Sequence, residues 1–284
     1  MAWPRGQRRR LQERVDAVAF WWHSIDLGGG VQTAGHKSAG TLRDELEALH
    51  LPDLTGKSVL DIGGWDGFFA FEAERRGAAR VGVVDHYMWA MDVPGQQAYW
   101  RRCMAEGIEP RPYHETEFWH PDTLPGKRGF DVAREALGSR VEAFAVDFMT
   151  CDLEALGSWD VVLYLGVLYH MEDPLRALRR VAAVTRELAV VETEAISLPG
   201  LEHAALWRFF PGAELNGDVS NWWAPNRTAL LGALRAAGFA SATGVSGPPA
   251  GLAESPGGPH HYRLTAHGAD GAAGGRSASN AAAG

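Results

Sequence analysis

Asp61, Asp85, Asp147, His170 and Glu192 can each hold or move a proton, and each stands where a short apolar run ends. Three glycines, Gly63, Gly64 and Gly67, follow the first of them in Lys57-Ser58-Val59-Leu60-Asp61-Ile62-Gly63-Gly64-Trp65-Asp66-Gly67. An apolar strand, a glycine turn and a helix let backbone lie close to a nucleotide-like cofactor, because no Cβ stands in the way. A carboxylate about 20 residues beyond such a turn, at the tip of the next strand, is placed to accept from two ribose hydroxyls. Asp85 has that place. An ionised carboxylate only accepts, so it can take both hydroxyl protons. His170 ordinarily titrates near neutrality and is either a general base or a residue that orients its loop. Tyr169 and Glu192 are open to the same two readings, as are His114 and His120 in an aromatic stretch earlier in the chain.

The elements that must position these groups follow from apolar patterning. Strands are expected at Ser58–Ile62, Arg80–Val84, 141–146, Trp159–Leu165 and 188–191, with further candidates at 240–245 and 262–265. Helices are expected at 41–49, 68–76, 130–137, 174–185 and Arg227–Ala237, the last closed by Gly238. The continuous apolar run Trp159–Leu165 marks a strand covered on both faces. Strands alternating with helices predict an α/β layer built on a mostly parallel sheet. Residues 1–55 read as an N-terminal helical and aromatic cap, and 56–266 as the core. Two inserts interrupt that core, at about 86–128 and 193–225. Both are too long for a compact crossover and too aromatic for disorder, so the first reads as a lid over the site. Residues 267–284 are almost all Gly, Ala and Ser and are expected to be a disordered tail.

A dinucleotide site would need Gly-x-Gly-x-x-Gly around a pyrophosphate. The spacing here differs, and Asp66 would set a negative charge beside the phosphates. A cofactor with a cationic centre and no phosphate avoids that conflict. Residues 59–67 resemble motif I of the class I S-adenosylmethionine-dependent methyltransferases, whose usual pattern is Asp-x-Gly-x-Gly-x-Gly. The chain departs at the middle glycine, where it has Trp65. The form Trp-Asp-Gly-Phe-Phe-x-Phe-Glu is similar to a bacterial subgroup related to the tRNA uridine-5-oxyacetic acid (carboxymethyl) transferases. Gly129-Phe130-Asp131-Val132-Ala133-Arg134, Leu165-Gly166-Val167-Leu168-Tyr169-His170 followed by Pro174, and Asn221-Trp222-Trp223-Ala224-Pro225-Asn226 add to it. The resemblance spans roughly residues 20–245 and implies a Rossmann-like, mostly parallel seven-stranded sheet.

It further implies S-adenosyl-L-methionine as cofactor, leaving as S-adenosyl-L-homocysteine. By position, Gly63, Gly64 and Gly67 would lie against the methionine part and Asp61 would hold the ammonium. Asp85, with His86 beside it, would bind the ribose. Asp147 would accept from the adenine amino group with Phe148 beside the ring, and Leu165 and Gly166 would run past the methionine tail. Trp65 is either a wall of the cofactor site or a plug in the core. The retained Asp61, Asp85 and Asp147 speak for an enzyme rather than a degenerate binding module.

Two acceptor classes follow. The aromatic inserts favour a closed pocket for a small aromatic or hydrophobic molecule, methylated on O, N or C. The kinship favours tRNA, with Arg5, Arg8, Arg9, Arg10, Arg14, Arg101 and Arg102 as its support. A carboxymethyl donor would need a cation for its extra carboxylate, and Lys37 is the nearest in the N-terminal segment. The formal net charge of −8 favours the small-molecule acceptor over nucleic acid as partner. Cys103 and Cys151 fit no metal or redox spacing and read as free thiols of a reducing compartment. No run suits a membrane span, and the arginines near the start precede no apolar leader segment. The expectation is a cytoplasmic monomer or homodimer without a metal.

Overall fold

The computed structural model describes residues 5–248 and 260–270. Helices α1 (Arg5–Asp16) and α2 (Ala39–Ala48) flank an extended aromatic stretch. Strand β1 (Ser58–Ile62), α3 (Phe68–Arg75) and β2 (Arg80–Val84) form the first strand–helix–strand unit. The first insert holds α4 (Tyr87–Ala90), α5 (Val93–Glu106) and two 3-10 turns, and leads into α6 (Arg128–Leu137) and β3 (Glu142–Phe144). Next come α7 (Leu153–Leu156), β4 (Trp159–Leu165), α8 (Pro174–Val184) and β5 (Thr185–Ser197). A small hairpin, β6 (Trp207–Phe209) with β7 (Trp223–Pro225), precedes α9 (Arg227–Ala237), β8 (Ser241–Ser246) and β9 (His260–Ala269).

The main sheet runs in the order β3-β2-β1-β4-β5-β9-β8. Pairs from β3 to β5 are parallel, and β9 lies antiparallel between β5 and β8. The order reverses between β1 and β4, so a crevice opens beyond their carboxyl ends. Side chains alternate across each strand, and the chain fills both faces. Val59, Val81, Val83, Val161 and Leu163 pack with α3 and α6 on one face. Leu60, Ile62, Val84, Val162 and Tyr164 pack with α8 and α9 on the other. Helix α8 starts where the sequence places it: Pro174 opens it, and the Asp173 carboxylate accepts from Arg176 N.

Three differences from expectation bear on how the chain is organised. Leu11, Val15, Trp21, Ile25, Leu27 and Val31 belong to the same apolar cluster as β1 and α6, so the cap shares the core instead of forming a unit of its own. Strand β5 runs on to Ser197 because β9 pairs with it from Leu188↔Ala269 to Ser197↔His260, so the second insert starts after 197 and not at 193. The same pairing holds His267, Gly268 and Ala269 in strand, which removes them from the expected tail at 267–284. Residues 271–284 of that tail lie outside the described residues. Among the described residues, no helix is long and apolar enough to cross a membrane.

Candidate active site

The glycine turn closes β1 against β2: Gly63 N donates to Val84 O at 2.7 Å. Gly63 has φ +79, and a Cβ there would come within 2.5 Å of Val167 Cγ2 on the loop after β4. Only glycine lets the ends of β1 and β4 approach this closely. Gly67 has φ +87, and its Cβ would strike Phe130 and Phe71. A Cβ at Gly64 would come within 2.7 Å of Asp61 Oδ2 and 2.8 Å of Val83 Cγ1.

Asp61 is buried, and its Oδ2 has no hydrogen-bond partner. Burial, with the charges of Asp85 and Asp66 adding, pushes its carboxyl up to about 7, against a hydrogen bond from Ala70 N. Asp85 accepts from Trp65 N at 2.9 Å and Met88 N at 3.0 Å, which ties the glycine turn to the start of α4. Burial pushes it up to about 6, although the backbone amides of Trp65, Met88, Trp89 and His86 favour its charge. An orphaned buried carboxylate oxygen beside backbone that tolerates no Cβ is suited to a cation held close to main chain. The residues therefore fit the ammonium and ribose of S-adenosylmethionine.

Asp66 departs from expectation. Its carboxylate accepts from Trp22 N and His23 N of the cap, both at 2.9 Å, and pairs with His23 Nδ1. Asp66 is the latch that holds the cap on the turn, and its charge still acts on Asp61. Trp65, with φ +47, packs on Phe20 and Trp22 at centroid distances of 5.6 and 5.0 Å, and those two rings are themselves 6.4 Å apart. Trp22 stacks in turn on His36 at 4.9 Å. Trp65 O accepts from Trp89 Nε1 at 2.7 Å. The residue that breaks the glycine pattern joins the cap through its ring and the first insert through its carbonyl.

On the expected adenine side, Asp147 accepts from Met149 N and Thr150 Oγ1, each at 2.8 Å, and shapes its own turn. The Phe148 ring is buried against Tyr164, and Arg180 holds its carbonyl, so that ring belongs to the core rather than to an open wall. The His86 ring meets the edge of Trp119 in the first insert.

Beyond β4 and β5 the candidate bases converge. Leu165 pairs with Glu192, and Gly166 N donates to Glu192 O at 3.1 Å. Glu192 is held by Arg263 of β9 at 2.9 and 3.1 Å, and Arg263 Nε also reaches Glu194 at 2.9 Å. Burial pushes the Glu192 carboxyl up while Arg263 and Lys37 oppose it. The Tyr169 phenol is pushed up to about 12 by burial, with Glu192 and Glu194 adding and Arg263 opposing. His170 Nδ1 lies 2.8 Å from Ser220 O and 3.1 Å from Ser220 Oγ, and that hydroxyl donates to Asp218 at 2.7 Å. Burial lowers the His170 pKa, against the charge of Asp218. Trp222 N donates to Tyr169 O at 2.9 Å, so the second insert is pinned to the loop after β4. His114 and His120 are exposed, and Lys37 is paired with Glu45.

Sequence reasoning missed Arg263, Glu194, Asp218 and Ser220. Each comes from a strand or insert whose fold partner no local pattern names. Among the described residues, no group of three His, Cys, Asp or Glu could hold a metal ion.

A methyltransferase-domain family profile matches residues 34–243. The chain is similar to the tRNA U34 carboxymethyltransferase of Chromohalobacter salexigens, at 26% identity over 207 residues, covering 73% of this chain and 51% of that one. For the enzyme of the same name in Enterobacter sp. the figures are 26% over 190 residues, 67% and 47%. The chain spans about half the length of the curated relatives it matches. The N-terminal domain of EvdMO1, solved with SAH bound, superposes with a TM-score of 0.59 at 20% identity, covering 93% of this chain and 97% of that one. The same domain in the presence of SAH and D-fucose gives 0.58 at 19%, over 93% and 97%. These two likenesses are of fold. With the family profile over most of its length and the glycine turn, carboxylates and strand order above, the chain belongs to the methyltransferase-domain family and is a class I, S-adenosylmethionine-dependent methyltransferase.

Proposed function

We propose that the chain methylates a small, ring-bearing acceptor held beyond the ends of β4 and β5. The bound cofactor supplies an electrophilic methyl on a sulfonium, so the protein must hold the acceptor in line and accept a proton where one is lost. In this reading Asp61 holds the ammonium, Asp85 the ribose hydroxyls and Asp147 the adenine amino group, while Gly63 to Gly67 and Leu165–Gly166 give backbone to the methionine part.

The observation that carries the acceptor class is the wall of the site. His86, Tyr87, Tyr113 and Trp119 from the first insert form one aromatic cluster. The second insert is pinned to Tyr169 and His170. Asp147, Glu172 and Asp218 act on the tyrosines of that cluster, so its rim is acidic. Aromatic faces suit a flat ring or the apolar face of a sugar, and an acidic rim repels a phosphate backbone.

A second reading, methyl or carboxymethyl transfer to tRNA, is favoured by the curated relatives and by the exposed Arg8, Arg9 and Arg10 of α1. Incubation with labelled cofactor and two sets of acceptors separates the readings. One set is a panel of phenols and simple sugars, D-fucose among them, and the other is bulk tRNA. Label in the small molecules is the expected result. Label in tRNA, with RNA binding that falls steeply as salt rises, would overturn the small-molecule reading.

A further inference from the structure

The polar groups left over by the cofactor reading meet between the two inserts. A backbone carbonyl can only accept, so the 2.8 Å contact from His170 to Ser220 O puts a proton on Nδ1. The Ser220 hydroxyl gives its own proton to Asp218 Oδ1, so towards His170 it too can only accept. Ser220 N also donates to Asp218 Oδ1, at 2.8 Å, which fixes the carboxylate under the serine. Both contacts to His170 therefore require the same tautomer. In the neutral ring Nε2 is then the bare nitrogen.

Across from this network stands Tyr87 of α4. Its hydroxyl is buried without a hydrogen-bond partner, and it feels the charge of Asp218, as His170 does. A buried phenol left without a partner is costly unless a ligand supplies one. Around Asp218, the loop after β4 and the first insert thus carry one bare imidazole nitrogen and one unpaired phenol.

We infer that His170 Nε2 is the general base for a hydroxyl acceptor, that Ser220 and Asp218 are positioning residues which fix its tautomer, and that Tyr87 Oη binds a second polar group of the same acceptor. This rests on the small-molecule reading above and narrows it to O-methylation. In the step, the acceptor O–H bond breaks and its proton passes to Nε2. The oxygen bonds the methyl carbon while the carbon–sulfur electron pair stays on sulfur, giving S-adenosylhomocysteine. The imidazolium then returns the proton to water. Asp218 and Glu194 favour that imidazolium and Arg263 opposes it.

The first test needs no acceptor. Nitrogen-15 NMR of the histidine rings in the free protein at pH 7 should show His170 neutral, with Nδ1 protonated and Nε2 bare. The opposite tautomer or an imidazolium would overturn the inference, whatever becomes of the acceptor panel. The second test uses the phenols and sugars of that panel that turn over. His170→Gln should bind S-adenosylhomocysteine within about threefold of wild type by calorimetry and lose about 100-fold or more in methyl transfer. Loss of less than tenfold overturns the assignment. Asp218→Asn removes a charge that raises the His170 pKa, so the acid limb of kcat/KM should move to lower pH. An unmoved limb would make Asp218 merely structural and overturn its part. Tyr87→Phe should raise the acceptor KM with little change in kcat, and an unchanged KM removes Tyr87 from the site.

Discussion

The carboxylates at the ends of β1 and β2 and those of β5 live under opposite conditions. Asp61 and Asp85 are buried, no cation among the described residues acts on them, and burial raises both. Glu192 and Glu194 share Arg263, which holds both through its guanidinium. Burial alone therefore does not mark a functional carboxylate. An unpaired buried acid awaits charge from a ligand, whereas a paired one has its partner within the fold. On this comparison the cofactor half is poised for a ligand. In the acceptor half His170 and Tyr87 keep unfilled valence, as do Thr193, Asn221 and Trp223 among the described residues.

The comparison breaks most readily at the cofactor half. Asp85→Ala frees the Trp65 and Met88 amides and removes the ribose acceptor, so cofactor affinity should fall by at least about 100-fold, or roughly 2.7 kcal/mol. Asp61→Asn keeps shape and removes charge, for a loss of about 10-fold or more. Calorimetry showing either variant at wild-type affinity would end the assignment of that residue. The pH dependence has a definite sign. The Asp61 carboxyl is raised from 3.8 to about 7 in the fold, so between those values the folded protein holds a proton that the unfolded chain has lost. The cofactor-free protein should lose stability as pH rises through that window, and Asp61→Asn should flatten the slope. Cofactor affinity should instead rise with pH up to about 7, with proton release on binding, because the ammonium needs the ionised form. A flat profile in thermal melts and buffer-dependent calorimetry would refute the linkage.

The joint between cap and turn is the next place to press. Asp66 serves three donors on Trp22 and His23, and hydrogen bonds to a charged group contribute about 1.5–3 kcal/mol each at best. Asp66→Ala should cost about 2 kcal/mol in denaturant melts, shift tryptophan emission and open the cap to proteolysis. If the melts move and the cap stays protected, the latch is elsewhere.

How much of this was legible in the sequence follows the same division. The strands β1, β2 and β4 and helix α9 are read to the residue, because apolar runs and caps are local. Asp61, Gly63, Gly67 and Asp85 could be placed for the same reason: one strand–turn–helix unit contains the turn, and the next strand ends at Asp85. Strand β5 was underestimated because its length is set by β9, far along the chain. Arg263 was invisible because an arginine in a strand says nothing of which glutamates lie across the ladder. Asp66 was misread because the side on which a turn side chain leaves depends on the cap, contributed by an earlier segment. His170 could be named as a candidate, but its tautomer hangs on a carbonyl fifty residues away.

The smallest effect is the sharpest test of the comparison. Glu192→Gln leaves Arg263 with Glu194 and keeps the volume of the side chain, so the site should hold its shape. Arg263 is partly exposed, which screens the pair, and the stability loss should be about 1 kcal/mol. Arg263 already donates to both Glu192 oxygens, which leaves little room there for an acceptor proton, so kcat should fall less than tenfold. The acid limb of the pH profile should stay where the His170 imidazole sets it. A drop of 100-fold or more, with the limb displaced, would mean that Glu192 takes the proton. The pairing with Arg263 would then be a resting state rather than the end of its role, and the rule that separates unpaired from paired acids would fail at the Glu192–Arg263 pair.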